Sequence, residues 1–210
     1  MSSSGSPRSQ NIEWQHGLIG RAQREAMHGH RGAMLWLTGL SGSGKTTIAH
    51  GLEQALLDRR VNAYVLDGDN LRHGLSRDLG FSAAERSEHI RRVGEVARMF
   101  VDAGLIVLCA FVSPFRADRD ALRGVMTPGD FLEVYVQASL EACRARDPKG
   151  LYRKAAAGTI TDLTGVAAPY EAPLTPELTV DTERLSIADS LTSVLRFLEQ
   201  QGYIAERPSA

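Results

Sequence analysis

Residues Gly39-Leu40-Ser41-Gly42-Ser43-Gly44-Lys45-Thr46 complete the pattern G-x-x-x-x-G-K-[ST], with Thr47 following. Such a loop works between a strand and a helix, where glycines let successive backbone N–H groups converge on phosphate oxygens and the helix N-terminus adds its dipole. The flanking sequence supplies both elements. Ala33–Thr38 is a short apolar run ending at the loop, and Lys45–Arg59 carries Ile48, Leu52, Ala55 and Leu56 at helical spacing. The chain is thereby committed to an α/β fold that grips a nucleoside triphosphate, with Lys45 reaching the β- and γ-phosphates and Thr46 offering its hydroxyl to Mg2+. Lys45 is one of three lysines among 24 basic residues, the others being Lys149 and Lys154. A planar guanidinium cannot take the place of a compact ammonium between phosphate oxygens, so a lysine kept in an arginine-rich chain marks a chemical requirement.

The rest of the pattern extends the same architecture. Val61–Leu66 reads as a second strand that delivers Asp67-Gly68-Asp69-Asn70 to a carboxyl edge, where open α/β sheets bind ligands. Glu85–Ala103 reads as an amphipathic helix through Ile90, Val93, Val96, Ala97, Phe100 and Val101. Leu105–Val112 is continuously apolar, as a central parallel strand covered on both faces must be, and it ends at Ser113-Pro114. Strand Phe131–Val136, helix Ser139–Arg146, a strand over Glu177–Asp181 and helix Ile187–Gln201 complete a single domain over 33–210. Between 147 and 173 glycines and prolines break up any periodicity, which predicts a mobile lid. Residues 1–10 are serine-rich and read as a disordered tail, while 11–32 form an arm with Trp14, Leu18, Ile19 and Met27 on a partly apolar face packed on the core. The expected fold is a three-layer sandwich around a parallel sheet, of the P-loop NTPase type.

Several side chains carry candidate chemistry. Asp67 and Asp69 straddle a glycine after a strand, so one can hold water-coordinated magnesium while the other accepts a proton; capping the next helix is the structural alternative. Ser113 sits where a buried strand meets the active edge, and it is read as a binder of substrate phosphate or sulfate, as a phosphorylated residue, or as a solvated turn. Arg144, Arg146, Lys149, Arg153 and Lys154 face only Asp147 within eleven positions. Cations on a closing lid suit phosphoryl transfer, and Arg144 and Lys149 are expected to contact the nucleotide. No Asn-Lys-x-Asp guanine signature follows Asn11, Asn62 or Asn70, which favours ATP over GTP. The six histidines, His73 and His89 among them, lack metal-ligand spacing and are read as surface or structural groups.

Bulk properties exclude other classes. A net charge of -1, a pI near 6.6 and 6% aromatic residues do not suit a protein that coats nucleic acid. Cys109 and Cys143 lack metal or disulfide spacing and read as reduced core thiols. No apolar run approaches the length of a membrane span, and a cytoplasmic protein is expected.

The strings GLSGSGKTT (39–47), DGDNLRHGLSRDLGFS (67–82), ERSEHIRRVGEVA (85–97), FVSPFRADRD (111–120), RDPKGLYRKAAAG (146–158) and PYEAP (169–173) together resemble the adenylylsulfate kinase family, from about Asn11 onward. A P-loop alone marks a superfamily, whereas DGDN-x-R, S-P-x-R-x-x-R and DPKGLY in one chain are far more specific. The resemblance implies a nucleoside-kinase-like fold with a lid and ATP-dependent transfer to the 3′-hydroxyl of adenosine 5′-phosphosulfate (APS), giving 3′-phosphoadenylyl sulfate. It also implies a homodimer and a functional association with ATP sulfurylase. By the same resemblance Asp69 contacts the 3′-hydroxyl and helps bind metal, Arg72 and Arg86 clamp the phosphosulfate, Phe81 stacks on the acceptor adenine, and Ser113 occupies the family's active-site serine position. Lys149 is counted on the acceptor side as well. Two positions depart from the pattern. His89 stands where the family typically has asparagine, and Leu163 where it has the phenylalanine that forms the second wall of the adenine sandwich. They motivate an alternative, a related P-loop kinase acting on another nucleotide or sugar hydroxyl. A nucleotide-binding protein without turnover would show damage at Lys45, Thr46, Asp69 or Arg86, and none is damaged.

Overall fold

In the computed structural model, which describes residues 9, 11–13, 15 and 17–206, five strands form one all-parallel sheet. They are β1 (Ala33–Thr38), β2 (Ala63–Asp67), β3 (Ile106–Ala110), β4 (Phe131–Gln137) and β5 (Leu178–Asp181), in the order β2-β3-β1-β4-β5. Eight helices accompany them among the described residues: α1 (Arg21–His28), α2 (Lys45–Leu57), α3 (Gly68–Arg72), α4 (Ala83–Asp102), α5 (Arg116–Val125), α6 (Leu140–Arg146), α7 (Leu151–Ala156) and α8 (Ile187–Gln200). All strands point the same way, so the loops that follow them meet along one edge of the sheet.

β1 shows how the layers arise. Every residue in it is buried, but alternate side chains enter different cores. Ala33, Leu35 and Leu37 pack with Ile48, Leu52 and Leu56 of α2 and with Val194, Leu195 and Leu198 of α8. Met34 and Trp36 join Ile90, Val93, Ala97 and Val101 of α4 and Leu122 of α5. The apolar stripe of α2 therefore fixes the height of the phosphate loop above the sheet. Truncating Leu52 to alanine would cost about 2–5 kcal/mol by cavity formation and loosen that placement.

The structure refines several boundaries. β2 starts at Ala63 and not at Val61, because the Val61 N–H closes the end of α2 on Leu56 O (2.9 Å) and the Asn62 N–H is taken by His30 Nε2 (3.0 Å). α3, α5 and α7 have no counterpart in the sequence reading. α3 is too short to show a period, and α5 hides its inner face because one of its two buried residues is Arg119. α7 lies inside the 147–173 segment, where Leu151, Tyr152 and Ala155 pack into a small cluster with Cys143, Leu163, Leu40 and Ile160. Cys109 and Cys143 are buried free thiols, as expected.

The 11–32 arm docks differently from its expected apolar face. Leu18, Ile19 and Met27 are exposed, while Arg21 pairs with buried Asp130, Arg24 with Asp102, and Glu25 accepts the Gly32 N–H (2.9 Å). A short helix of low apolar content holds on through charge-assisted bonds instead. Trp14 and the 1–10 tail, Ser9 excepted, lie outside the described residues.

Candidate active site

At the carboxyl edge lies a cleft of about 670 Å3, lined by residues 41–48, 67–69, Arg72, Phe81, Arg86, His89, 110–114, Arg146, Lys149 and Thr182, among others. Its floor is the phosphate loop. Gly39 cannot be larger, since a Cβ there would stand 2.4 Å from Val136 O, and Gly44 adopts φ 103, the left-handed region that favours glycine. No side chain caps the first turn of α2 behind Gly44. Its free N–H groups and the unpartnered buried Ser43 Oγ form a polar cradle without an internal partner. Gly39 and Leu40 shape this loop from outside the cleft lining.

Lys45 is buried at the centre. Its ammonium donates to Gly39 O (3.0 Å) and Leu40 O (2.7 Å), with no carboxylate in contact, and burial lowers its pKa to about 8. Such an ammonium gains from any anion delivered to the loop. Thr46 Oγ1 donates to Asp67 Oδ2 (2.9 Å), while Asp67 Oδ1 accepts from Asp69 N–H (2.9 Å) and caps α3. Asp67 thus fills the capping role and also keeps an oxygen at the phosphate loop. The glycine between the two aspartates lets the chain turn, so Asp69 faces the other way and pairs with Lys149 from across the cleft. Arg146 is the arginine of α6 that reaches the loop, donating to Gly42 O (3.4 Å) as well as to Thr182 Oγ1 (3.0 Å) and Thr182 O (2.7 Å); Arg144 lies exposed outside the cleft.

The opposite wall is cationic and aromatic. The Arg72 guanidinium lies 4.4 Å from the Phe81 ring centroid and that of Arg86 5.6 Å, an arrangement set by Arg72 donating to Gly80 O (2.7 Å) and Arg86 to Phe81 O (2.6 Å). Arg72 has no salt-bridge partner among the described residues, and burial followed by the neighbouring Arg86 lowers its pKa. Arg86 also donates to Thr164 Oγ1 (3.2 Å) and Asp162 O (3.2 Å), which ties this wall to the 147–173 segment. Phe81 itself stays 56% exposed at the cleft.

His89 is buried in the same wall, not on the surface. Nδ1 pairs with Ser76 Oγ (2.8 Å), Nε2 has no partner among the described residues, and burial followed by Arg72 and Arg92 lowers its pKa to about 4, so the ring is neutral at pH 7. Leu163 does not line the cleft. It is buried among Cys143, Tyr152 and Leu40, and its neighbour Thr164 meets Arg86 instead.

Ser113 closes the end of the cleft with a left-handed backbone at φ 39. Its hydroxyl accepts the Trp36 indole N–H (3.0 Å) and donates to Thr38 Oγ1 (2.9 Å), which donates to Val112 O (2.9 Å) and meets the Tyr170 hydroxyl (3.0 Å). The sequence reading missed Trp36, Thr38 and Tyr170 as a supporting network. Their signals were a Trp and a Thr at strand positions that face one layer and the active edge, and a Tyr inside the PYEAP string.

The family model described as adenylylsulphate kinase matches residues 31–181. An adenylyl-sulfate kinase of Lactiplantibacillus plantarum is 52% identical over 198 residues, covering 94% of this chain and 96% of that protein. One of Geotalea uraniireducens is 51% identical over 191 residues, covering 91% and 92%. Among solved structures, the Mycobacterium tuberculosis APS kinase CysC in complex with AMPPNP and APS superposes with a TM-score of 0.78 at 47% identity, covering 81% of this chain and 99% of that one.

Proposed function

The chain belongs to the adenylylsulphate kinase family, and on that premise we infer that its cleft transfers the γ-phosphoryl group of ATP to the 3′-hydroxyl of APS, giving 3′-phosphoadenylyl sulfate and ADP. What carries this reading is the union in one cleft of the Lys45 loop, the Asp69–Lys149 pair and the Arg72–Phe81–Arg86 wall.

The chemistry follows from the charges. The acceptor oxygen forms a bond to the γ-phosphorus as the bond to the β–γ bridging oxygen breaks, and the hydroxyl proton leaves toward Asp69. Little covalent work falls to the protein, so positioning and charge neutralisation dominate. Lys45 and the amides from Gly42 to Thr47 hold the donor phosphates, while Arg72 and Arg86 hold the anionic end of the acceptor and Phe81 its base. Lys149, freed from Asp69 by the arriving phosphates, follows the transferring group. The oxygen donors of Thr46, Asp67 and Asp69 suit a hard cation, and a bound Mg2+ would neutralise charge on the β- and γ-phosphates. Ser113 holds acceptor and backbone in place in this scheme; its hydroxyl already accepts one hydrogen bond and donates another, which argues against a phosphoserine intermediate.

Three further parts belong to the same proposal. The 147–173 segment acts as a lid, tethered by Arg86 and Lys149. The protein works as a homodimer, for which exposed Leu18, Ile19 and Met27 offer apolar surface. It acts in the cytoplasm, functionally next to ATP sulfurylase, whose product is the acceptor. A coupled assay with MgATP and APS tests the core reading, with other nucleotides and sugars as competing acceptors. Turnover of those alone, with none of APS, would overturn it.

A further inference from the structure

Arg119 is 1% exposed, lies outside the cleft lining, and takes no part in the scheme above. Its guanidinium nonetheless joins three segments. Nε donates to Glu133 Oε1 on β4 (2.6 Å), one terminal nitrogen to Ser113 O (2.6 Å), and the other to Glu171 O (2.7 Å). Ser113 is the residue whose left-handed backbone closes the end of the cleft, and the next residue, Pro114, has no N–H with which to anchor the turn. Glu171 belongs to the root of the proposed lid. It donates its N–H to Pro114 O (2.9 Å), its side chain accepts Arg116 N–H (2.8 Å), and Arg116 Nε donates to Ala172 O (2.8 Å). One residue earlier, the Tyr170 hydroxyl meets Thr38 Oγ1, the partner of the Ser113 hydroxyl.

We propose that Arg119 is a positioning residue for phosphoryl transfer, clamping the Ser113 turn and the 169–173 root of the lid to one rigid fork. The proposal rests on the acceptor chemistry argued above. Glu133 neutralises the buried guanidinium, and the two carbonyls turn that charge into geometry. A single ammonium cannot address three acceptors in one plane, so arginine is required where lysine would satisfy charge alone. Arg123 is the natural comparison. It stands on the same helix and reaches Glu133 Oε2 (3.5 Å) and Glu177 (2.5 Å), but touches neither Ser113 nor residue 171.

The test compares Arg119→Lys, the pair replacement Arg119→Met with Glu133→Leu, and Arg123→Gln. The pair replacement avoids a stranded buried charge, the usual cause of unfolding. Steady-state kinetics in both substrates is combined with hydrogen exchange of the empty protein. Both Arg119 variants are expected to lose about tenfold or more in kcat with APS, consistent with an ångström-scale misplacement, while the KM for ATP stays within about twofold. Exchange should accelerate about tenfold at 169–173, including the Glu171 amide, but not along β1 or β4. Arg123→Gln should leave all of these unchanged. Wild-type acceptor turnover in a folded Arg119 variant would overturn the clamp. So would a parallel decline of both substrates' constants with global exchange, or failure of both variants to fold, since each assigns Arg119 to the core alone. Should the unaltered protein give no product from APS, the functional reading fails by itself, and the exchange pattern at 169–173 still decides the clamp.

Discussion

Replacing Lys45 by methionine should stabilise the empty protein while removing its activity. Lys45 is buried against two carbonyl oxygens, and burial brings its pKa from the ordinary 10.5 to about 8. Keeping that ammonium charged at neutral pH therefore costs on the order of 3 kcal/mol, since each tenfold change in proton affinity is worth about 1.4 kcal/mol. Methionine removes this penalty and forgoes two hydrogen bonds worth about 1 kcal/mol each, which leaves a gain of about 1–2 kcal/mol. For a chain of this size that is a rise of roughly 3–6 °C in Tm. The folded pKa lies below the unfolded one, so the penalty is complete below pH 8 and disappears as pH rises toward 10.5. The order should therefore reverse near pH 9, the variant ending less stable by about the 2 kcal/mol of its two lost hydrogen bonds. Thermal unfolding at pH 7, 9 and 10.5, with and without MgATP, measures all of this. Nucleotide should raise the Tm of the unaltered protein far more than that of the variant, whose turnover should fall by about 10²–10³ or more. A variant less stable at pH 7, or one that keeps its advantage at pH 10.5, would refute the reasoning.

Asp69→Asn should lower kcat by about 10²–10⁴ with little change in the KM for ATP, measured by steady-state kinetics, because it removes the proton acceptor and leaves the phosphate loop intact. Phe81→Ala should raise the KM for APS by about twofold to tenfold, the range expected for one aromatic contact. Leu163→Phe should lower the Tm by an amount equivalent to about 1–3 kcal/mol of overpacking, with an unchanged KM for APS, because Leu163 packs against Leu40, Cys143 and Tyr152 and not on the cleft. His89 makes the protein acid-labile. Its folded pKa of about 4 lies below the ordinary 6.5, so stability is unaffected above 6.5 and is lost as pH falls from there to 4. In urea unfolding at pH 7 and pH 4, His89→Asn should recover on the order of 3 kcal/mol of the loss at the lower pH.

The sheet, the phosphate loop and its helix were legible because their signals are local. Ala33–Thr38 is a short apolar run, and the loop's glycines sit at fixed offsets from Lys45. α5 was not legible, since a buried arginine occupies the position where periodicity wants an apolar side chain. The supporting residues of the site were also hidden, because Arg86 meets Thr164 across 78 positions and Trp36 meets Ser113 across 77. His89 could be read as a surface or a structural group, because no spacing reveals that Ser76, thirteen residues away, folds over it. Leu163 looked like a cleft residue by its place in a motif, yet its side chain obeys the apolar cluster formed within the 147–173 segment and with Cys143.

The cations of the cleft already have internal partners. Lys45 is bonded to two carbonyls, Lys149 to Asp69, and Arg86 to residues 81, 162 and 164. Binding is thus an exchange of partners, and measured affinity reports the difference between a phosphate oxygen and the internal group it displaces. An anion that cannot outbid a carbonyl or carboxylate leaves the cleft as it was, so the protein discriminates by its resting contacts as much as by those it makes in the complex.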